Sequence, residues 1–551
     1  MQEIVLTEEQ REIVKRVFEN RVVLVNAFAG TGKTTTCMAT IKEANKRGKK
    51  ALYLVFNRAM SKSAKEKGNL LGLDADIKTV HSLAYGELAK RGYFKGKQVG
   101  SIKTKMVADA FGIPTKTAFW LLEFFNQFLF SSYPFDKIDA FIEEKVKINR
   151  RFAYGLQVMG GSYDVVSLLY DLVDKVRKGE LITPHDFYLK DFVFSEHVIR
   201  LPHKLVILDE SQDANPLFME LMQRIKAEHL LIVGDKHQRI YQFRNTVDAF
   251  RFFTEPLVLY LTQTFRFGSN ISDLANTILA FKGEKKRIRP MTSPKGVEKE
   301  QAVLSYTNSQ ILSYYLDLTE KEREVATFEK DIEEVIKPVL SILVLKEAND
   351  EDLDDWDDWD DWDLDDKAKV NRVIARHSIG KDLLDFSILN TFKNYEEVQY
   401  YVEQISSAQK TAGDEDSNLL TDMEIVQAYR LSEELTISEL LMIIEEYRNN
   451  KAKRKNLYLS TAHASKGMEY AKVILLPDLA IEKDTLLYFL EQQANNGHIP
   501  ADIIMSMNLL YVAITRASTD IEMHPDVVKS LKFMEKHIEK QQPLKTGETG
   551  E

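Results

Sequence analysis

The sequence VVLVNAFAGTGKTTT, from Val22 to Thr36, decides the fold class of this chain. Its first part, Val22 to Ala27, is rich in Val and Leu, as is typical of a strand buried on both faces of a parallel sheet. Residues Ala27 to Thr34 then follow the spacing G-x-x-x-x-G-K-[ST] of a phosphate-binding loop, with alanine at the first glycine position. An amphipathic stretch follows from Thr34 to Arg47. A strand, a Gly-rich turn and a helix in this order predict a nucleotide site.

Each part of this loop has a role in binding a triphosphate. Gly30 and Gly32 let backbone N–H groups approach phosphate oxygens, and the start of the helix adds its positive dipole. Lys33 is placed to reach the β- and γ-phosphates, and the hydroxyl of Thr34 is a ligand for Mg²⁺. The predicted cofactor-binding residues of this segment are Ala29, Gly30, Thr31, Gly32, Lys33, Thr34 and Thr35.

A second segment, LVILDESQD from Leu205 to Asp213, narrows the chemistry. The phosphate loop alone does not identify the reaction, because kinases, GTPases and motor proteins all contain such loops. Two carboxylates, Asp209 and Glu210, follow the apolar run of this second segment. Asp209 suits the Mg²⁺ shell, and Glu210 is able to orient and deprotonate an attacking water. Together with the loop, these residues predict hydrolysis of the triphosphate.

Apolar runs of strand length recur along the chain and alternate with amphipathic stretches, which predicts an α/β fold with parallel sheets. The runs fall into two groups, one before about residue 280 and one after about residue 455. Residues 84–195 and 310–450 have mainly helical patterns. We expect the aromatic-rich segment FWLLEFFNQFLF, residues 119–130, to pack in a core because large apolar side chains are usually buried.

Composition indicates an intracellular protein of several domains. The 551 residues include a single cysteine, Cys37, which excludes an intrachain disulfide framework. We see no secretory signal and no apolar run long enough to span a membrane, so we expect a cytoplasmic, nucleoid-associated location. The net charge of −10 comes from residues 350–366, DEDLDDWDDWDDWDLDD, which hold 12 carboxylates and no Lys or Arg. Without them the balance is +2 (74 basic against 84 − 12 = 72 acidic), so the global charge does not exclude nucleic acid.

Beyond these two segments, further motifs follow in an order that resembles the UvrD/Rep/PcrA branch of superfamily 1 helicases. The chain is also similar to the helicase portion of F-box DNA helicases. The segments that carry the resemblance, besides the phosphate loop and DESQD, are LTEEQ (6–10), VFNRAM (55–60), TVHS (79–82), VGDKHQRIYQFR (233–244), LTQTFR (261–266), TAHASKGMEY (461–470) and NLLYVAITRA (508–517).

The resemblance implies two RecA-like motor domains with mainly helical accessory insertions. The first motor domain would comprise residues 1–83 and 196–279, with residues 84–195 as its insertion. The second would comprise residues 280–309 and 451–535, with residues 310–450 as a reduced insertion that contains the acidic tract. Residues 536–551 would be a flexible tail.

The resemblance also assigns roles to residues. It implies that ATP and Mg²⁺ are the cofactors, that Gln10 and Phe265 hold the adenine, and that Gln238 senses the γ-phosphate. Arg266 and Arg516 would neutralise charge on the transferred phosphoryl group. The implied catalytic residues are Lys33, Asp209, Glu210, Gln238, Arg266 and Arg516, with Thr34 and Asp209 on the metal. Gly467 and Glu469 join the cofactor-binding residues, and the implied nucleic-acid contacts are Phe56, Asn57, His81, Tyr241, Phe243, Thr461 and His463.

The function implied is that of an ATP-dependent helicase or translocase on single-stranded DNA. It would move 3′ to 5′, act at single-strand–duplex junctions, and serve replication, repair or recombination. Two departures from the family pattern matter here. Residues 305–308 read SYTN where relatives often carry Arg-Thr-Asn, so the phosphate contact of that arginine is not expected. The second insertion is short for a full accessory domain, which keeps alternatives to unwinding open. The alternatives are a translocase without efficient unwinding, and a nucleotide-gated DNA-binding subunit that recruits a nuclease.

The acidic tract 350–366 also has two interpretations. Its composition favours a disordered, solvated insertion, because repulsion between like charges extends a chain. The other interpretation is a segment that binds a protein partner through Trp356, Trp359 and Trp362, with its carboxylates imitating DNA phosphates.

Overall fold

The computed structural model describes residues 5–148, 150–159, 163–240, 249–291, 300–349, 362–408, 419–449, 456–495 and 499–541. The chain divides into two compact units. The first comprises Met1–Arg266 with Ile288–Thr292, and the second comprises Phe267–Arg287 with Ser293–Glu551. Two of the predicted nucleic-acid contacts, Tyr241 and Phe243, lie outside the described residues, as do residues 350–361 of the acidic tract.

A parallel sheet forms the centre of the first unit. The strands described in this unit are β1 (Val22–Ala27), β2 (Ala51–Val55), β3 (Ala75–Thr79), β4 (Ile199–Arg200), β5 (Leu205–Leu208), β6 (Ile225–Lys226), β7 (His229–Gly234), β8 (Leu257–Leu261), β9 (Gln263–Thr264) and β10 (Arg289–Pro290). Six of them pair in the order β3-β2-β5-β7-β1-β8, all parallel. In β1, Val25 pairs with Val233 and Leu259, and its side chain is fully buried. The predicted α/β class is confirmed.

Helices connect these strands, and a group of them follows β3. The helices described in this unit are α1 (Glu8–Val17), α2 (Lys33–Lys46), α3 (Arg58–Leu70), α4 (Val80–Lys90), α5 (Thr104–Phe111), α6 (Thr115–Phe130), α7 (Ile138–Ile148), α8 (Arg150–Met159), α9 (Val165–Lys178), α10 (His185–Phe194) and α11 (Pro216–Arg224). Parallel strands need crossover connections, and α2, α3 and α11 lie between successive strands of this sheet. Helices α5 to α10 instead form a cluster with its own hydrophobic core.

The aromatic residues of α6 fill that core, as the sequence predicts. Trp120, Phe124 and Phe128 are each at most 1% exposed. A buried lysine, Lys190 of α10, closes the end of the helix by donating hydrogen bonds of 2.8 Å to the carbonyl oxygens of Phe128 and Ser131. Burial lowers the pKa of Lys190 well below its ordinary value. The hydrogen bonds that Lys190 donates satisfy carbonyl groups that the end of a helix leaves without partners.

The second unit has its own parallel sheet. Its described strands are β11 (Gln301–Ser305), β12 (Ala326–Phe328), β13 (Leu457–Thr461), β14 (Tyr470–Leu475) and β15 (Ala517–Met523), in the order β12-β13-β11-β14-β15. Strand β11 is central: Val303 pairs with Leu459 on one side and with Ile474 on the other. Because helices cover the sheet, Val303 is fully buried.

Helices make up most of the rest of this unit. Those described are α12 (Ser269–Phe281), α13 (Asn308–Asp317), α14 (Glu320–Val325), α15 (Ile332–Asn349), α16 (Trp362–Arg376), α17 (Phe386–Thr391), α18 (Tyr395–Ala408), α19 (Leu419–Glu434), α20 (Ile437–Asn449), α21 (Lys483–Ala494), α22 (Ala501–Ile514) and α23 (Pro525–Gln541). The apolar residues of α15 lie in the core that the helices after β11 share. No helix within the described residues is long and apolar enough to cross a membrane.

The structure differs from the sequence-based boundaries at four places. Strand β10 pairs with β9 and belongs to the first unit, although we predicted residues 280–309 as part of the second motor domain. Helix α12 lies in the second unit, although we predicted a first domain extending to residue 279, because it packs on α22, α23 and β15. Strand β12 completes the second sheet from within the stretch predicted as a helical insertion, and three residues are too few to show a strand pattern. Helix α23 continues to Gln541, past the predicted start of the tail at residue 536, because His537 packs against Phe281.

Candidate active site

The phosphate loop lies at the carboxyl end of β1, where α2 begins. Gly30 and Gly32 have φ angles of +72° and +81°, a conformation that side chains other than glycine rarely adopt. A Cβ atom on Gly30 would lie 2.5 Å from Cβ of Arg266, and one on Gly32 would lie 2.7 Å from Nε2 of Gln10. Both glycines are therefore required by backbone conformation and by neighbouring side chains.

Three predicted nucleotide-binding residues contact the loop within the first unit. Gln10 donates from Nε2 to the carbonyl of Thr31 at 3.3 Å, and its Oε1 accepts from the backbone N–H of Thr7 at 3.0 Å. Phe265 donates its backbone N–H to the carbonyl of Gly30 at 2.9 Å, while its side chain is 41% exposed. Arg266 follows directly and packs on Gly30 as described above. The segment that contains both residues is therefore fastened to the loop.

The predicted catalytic carboxylates lie beside Lys33. Asp209 and Glu210 follow β5, and Oε2 of Glu210 lies 2.8 Å from Nζ of Lys33. Glu210 has a φ of +52°, the left-handed region that costs a residue with a side chain free energy. Its carboxylate is thereby held at the loop. Thr34 is half-buried in the first turn of α2, and Thr35 beside it is exposed.

Burial and charge control the ionisation of this cluster. Burial alone lowers the pKa of Lys33, but the carboxylates around it, Glu210 first, raise that pKa above its ordinary value. Burial, and then repulsion from Glu210, raises the pKa of Asp209 to about 6, although Lys33 acts in the opposite direction. The lysine is therefore charged at neutral pH, and the site has the mixed charges that bind a metal–phosphate complex.

Side-chain amides connect Glu210 to the predicted sensor, Gln238. Gln212 donates to Oε2 of Glu210 at 2.6 Å and accepts from the backbone N–H of Asp235 at 3.0 Å. Gln238 donates to Oδ2 of Asp235 at 2.9 Å. A Cβ atom on Gly234 would lie 2.7 Å from Oε1 of Gln212, so this connection requires glycine there. Gln212 and Asp235 lie within motifs that are visible in the sequence, but their role in connecting Glu210 with Gln238 was not predicted.

Tyr53 is a site residue that sequence reasoning missed. Its hydroxyl, buried on β2, donates a hydrogen bond to Oδ2 of Asp209. Burial, and then the charge of Asp209, raises the pKa of the nearby Cys37 thiol on α2 well above its ordinary value. Nothing in the sequence marks Tyr53, because its run, ALYLV, is an ordinary apolar strand. Only the pairing of β2 with β5 brings the hydroxyl to the carboxylate.

The predicted residues of the second unit form a separate group. Arg516 is 1% exposed and donates to the carbonyl oxygens of Val512 at 3.1 Å and Met468 at 3.3 Å. It therefore lies against the turn that contains Gly467 and Glu469. Gly467 has a φ of +91° and is exposed.

Two further predicted residues of this unit follow β13. Thr461 accepts at Oγ1 from the backbone N–H of Ala464 at 3.2 Å. The ring of His463 lies edge-on to that of Tyr306, with centroids 5.8 Å apart. The segment is joined to β11, since Ala462 donates its N–H to the carbonyl of Ser305 at 2.7 Å. Thr461 and His463 thus lie at the carboxyl edge of the second sheet.

The SYTN departure has a structural counterpart at the start of α13. Asp478 accepts from the backbone N–H of Thr307 at 2.9 Å, and Glu424 of α19 accepts from the N–H groups of Asn308 and Ser309 at 2.8 and 2.9 Å. Burial raises the pKa of Glu424, and it raises that of Asp478 to about 6. These two carboxylates accept hydrogen bonds from backbone N–H groups that could otherwise donate to a phosphate.

Two of the predicted nucleic-acid contacts of the first unit, Phe56 and His81, pack against one aromatic ring. Phe56 packs against Phe218 with centroids 5.3 Å apart, and His81 packs against the same ring at 5.9 Å. His81 also hydrogen-bonds Oδ1 of Asp186 at 2.8 Å. Asn57 is exposed and caps α3 by accepting from the N–H of Met60 at 2.8 Å. The structure therefore brings Phe56 and His81 together and gives Asn57 a capping role.

The residues present fit a nucleotide and its magnesium ion. The two glycines leave room for phosphates, Lys33 supplies a cation, and Thr34 and Asp209 are the oxygen donors beside them. Among the described residues, no group of three or more His, Cys, Asp or Glu side chains forms a metal site of its own. Mg²⁺ binds through one or two protein oxygens together with substrate phosphates, and Thr34 and Asp209 are oxygen donors of that kind.

Comparison with known proteins gives one family match and several relatives. Residues 10–244 match the family model described as an AAA domain. The chain is 26% identical to F-box DNA helicase protein 1 of Schizosaccharomyces pombe, over 95% of this chain and 58% of that protein. It is 25% identical to F-box DNA helicase 1 of Gallus gallus, over 98% of this chain and 51% of that protein. The chain thus spans about half the length of these two helicases.

A third relative is closer to this chain in length. The Gabija protein GajB of Bacillus cereus is 25% identical over 82% of this chain and 86% of that protein.

Proposed function

We propose that this chain is a relative of the superfamily 1 DNA helicases and that it hydrolyses ATP to move along single-stranded DNA. The AAA-domain match and the likeness to the F-box DNA helicases support this proposal. One observation carries the proposal: a phosphate loop, its lysine, two carboxylates and the Phe265–Arg266 segment assemble at one edge of one parallel sheet. On the basis of the resemblance we further propose 3′ to 5′ movement, action at single-strand–duplex junctions, and a role in replication, repair or recombination.

The arrangement of Lys33 and Glu210 suggests how hydrolysis is controlled. In this structure the ammonium of Lys33 pairs with the carboxylate that would act as the base. Phosphate oxygens bound in the loop offer Lys33 a stronger partner, which frees Glu210 to accept a proton from the attacking water. Magnesium, held by Thr34 and Asp209, would neutralise charge on the phosphates. Glu210 is therefore an active base only when the loop is occupied.

The remaining roles follow from position or from the resemblance. Arg266 lies against the loop and would stabilise charge that develops on the γ-phosphate. Phe265, with its exposed ring, would stack on the adenine, and Gln238 would report loop occupancy to Glu210 through Asp235 and Gln212. For Arg516, Gly467 and Glu469 the proposed nucleotide contacts rest on the resemblance alone. The same holds for DNA contacts by Tyr241, Phe243, Thr461 and His463.

Turnover with and without DNA tests the central proposal. We expect ATP hydrolysis that single-stranded DNA strongly stimulates, and a fall of roughly 10²- to 10⁴-fold in Glu210→Gln, because that change removes the base. Lys33→Ala is expected to abolish turnover. Lys46→Ala, at the exposed far end of the same helix, is the matched control and should leave the rate unchanged. Equal turnover of the wild type with and without DNA contradicts a DNA motor.

Strand displacement, measured beside translocation, separates the proposal from its first alternative. Duplexes with 3′ tails, 5′ tails and blunt ends give the polarity. A chain that displaces a bound protein from single-stranded DNA but leaves duplexes intact is a translocase without efficient unwinding. Co-purification of a nuclease, together with DNA binding that depends on ATP, favours the second alternative, a nucleotide-gated recruiting subunit.

For the acidic tract, residues 350–366, we propose a protein-binding role in addition to its effect on charge. The support is compositional: three tryptophans are spaced three residues apart among 12 carboxylates. Exposed tryptophan is a frequent anchor at protein interfaces.

A further inference from the structure

Aromatic side chains continue beyond His81 along α4. Tyr85 lies four residues after His81, which places both on one face of the helix about 6 Å apart along its axis. Tyr85 is 45% exposed, and its ring stacks on that of Phe94 with centroids 4.4 Å apart and an angle of 21°. Tyr188 of α10 supports both rings edge-on, at 5.8 Å from Tyr85 and 5.4 Å from Phe94. The exposed ring is therefore held in one orientation by the partly buried ring of Phe94 and the buried ring of Tyr188.

Basic residues follow directly in the chain. Residues 90–97 read KRGYFKGK, with four cations and two aromatic residues in eight positions. Lys95 is exposed, and no ion pair to it occurs among the described residues. The other three cations have partners: Lys90 pairs with Glu87, Arg91 pairs with Glu196 at 3.1 Å, and Lys97 lies over the ring of Tyr93 at 3.8 Å. Lys95 is thus the cation of this segment that is available to a ligand.

Backbone and side-chain contacts hold this segment in place. Within it, Lys95 donates its N–H to the carbonyl of Gly92 at 3.2 Å. The hydroxyl of Tyr93 donates to Asp191 of α10. Just after it, Gly100 and Thr183 are linked by a 3.1 Å backbone hydrogen bond. Ordering these residues on binding therefore has a small entropic cost.

We propose that Tyr85 and Lys95 form a further binding site for single-stranded DNA, in which an unpaired base stacks on Tyr85 and a phosphate binds Lys95. The inference rests on the proposed function, because it extends a strand path that begins at Phe56 and His81. An exposed aromatic ring beside a cation suits single strands, since any base offers a face for stacking. In a duplex those faces are covered, so duplex DNA alone should not use Tyr85.

Binding of a fluorescently labelled oligothymidine, measured by anisotropy, tests the site. Tyr85→Ala should weaken binding roughly five-fold or more, the effect of losing one stacked base. Tyr400→Ala, an exposed tyrosine on α18 of the second unit, is the matched control and should bind as the wild type does. Tyr85→Phe keeps the ring and should bind as the wild type does. If the hydroxyl of Tyr85, and not its ring, were responsible for binding, Tyr85→Phe would bind as weakly as Tyr85→Ala.

Salt dependence tests the phosphate contact separately. Lys95→Ala should reduce the slope of log affinity against log salt by about 0.7, the value for one phosphate of a single strand. Lys67→Ala, an exposed lysine in the last turn of α3, should leave the slope unchanged. Equal slopes for Lys95→Ala and the wild type would overturn the assignment of Lys95.

Photo-crosslinking locates the contact directly. An oligonucleotide that carries 5-iodouracil should crosslink to a peptide containing Tyr85, and Tyr85→Ala should abolish that crosslink. Crosslinks confined to other peptides, or wild-type affinity in Tyr85→Ala, would overturn this inference while leaving the proposed function intact. Failure of the wild-type protein to bind single-stranded DNA would instead contradict the proposed function.

Discussion

At the scale of single residues, the ionisation of the phosphate site depends on the neighbouring charges of Lys33, Asp209 and Glu210. Lys33 is charged because carboxylates surround it, and Asp209 is hard to ionise because it is buried beside Glu210. Such a cluster is stable only when each charge has a partner. Replacing one member therefore changes the ionisation of the others. Tyr53 belongs to this cluster because its hydroxyl donates to Asp209.

Tyr53→Phe tests this dependence. The hydrogen bond from Tyr53 lowers the pKa of Asp209, which burial raises to about 6, so loss of the hydroxyl should raise it further. Asp209 must be ionised to bind Mg²⁺, so the activity lost at low pH should be lost at a higher pH than in the wild type. The Mg²⁺ concentration for half-maximal ATP turnover should rise about ten-fold, the worth of a hydrogen bond to a charged group.

Cys37→Ala is the control for this change. It removes the thiol near Tyr53 but keeps the bond from Tyr53 to Asp209. Its Mg²⁺ requirement should stay near that of the wild type. If Tyr53→Phe and the wild type had the same Mg²⁺ requirement and the same pH profile, Tyr53 would have no part in positioning Asp209.

At the scale of elements, close packing decides what a helix tolerates. In the helical cluster of the first unit, α8 crosses α6 at Gly155, where a Cβ atom would lie 2.4 Å from Cε3 of Trp120. A glycine inside a helix normally costs stability, because its backbone is more flexible than that of alanine. Here the aromatic core of α6 requires it. Helix α4 contains Gly86, where a Cβ atom would meet nothing within 4 Å.

These two glycines give opposite predictions for the same substitution. Gly155→Ala should destabilise the first unit by about 1–3 kcal/mol, because Trp120 would have to move. Gly86→Ala should stabilise it by up to about 1 kcal/mol, because helix propensity is then the only effect. Hydrogen exchange of the amides of α6 and α8 measures the first change, and that of α4 measures the second. Equal effects of the two substitutions would contradict the packing of α8 on α6.

At the scale of the whole molecule, the distribution of charge matters more than its sum. The net charge is −10, and deletion of residues 350–366 changes it to +2, since −10 + 12 = +2. A negative protein repels DNA over about one Debye length, roughly 10 Å at 0.1 M salt, and this repulsion is weaker at higher salt. One short tract is therefore able to set the affinity of a DNA-binding protein.

Deletion of residues 350–366 should increase the affinity for single-stranded DNA, more at low salt than at high salt. A replacement of equal length made of Gly and Ser is the control for chain length and should show the same increase. Replacing only Trp356, Trp359 and Trp362 by alanine should leave DNA affinity unchanged and abolish binding of any protein partner. Unchanged DNA affinity and an unchanged set of co-purifying proteins in the deletion would mean that the tract is only a linker.

The sequence by itself determined the features that are local in the chain. The phosphate loop, the carboxylates after β5 and the α/β class could be predicted because strand, turn and helix signals lie within a few consecutive residues. The aromatic core of α6 was also predictable, since a segment so rich in large apolar side chains has to be buried. The extent of α23 was not, because its last turns depend on packing against Phe281.

Only the tertiary structure decided which distant residues meet. Tyr53 and Asp209 are 156 residues apart, and Thr264 donates to the carbonyl of Ala29 across 235 residues. Such contacts depend on which strands are neighbours in the sheet, and strand order results from packing summed over the whole unit, which no short pattern of residues encodes. For the same reason, neither the pairing of β12 with β13 nor the contact of Glu424 of α19 with the start of α13 could be predicted from the sequence.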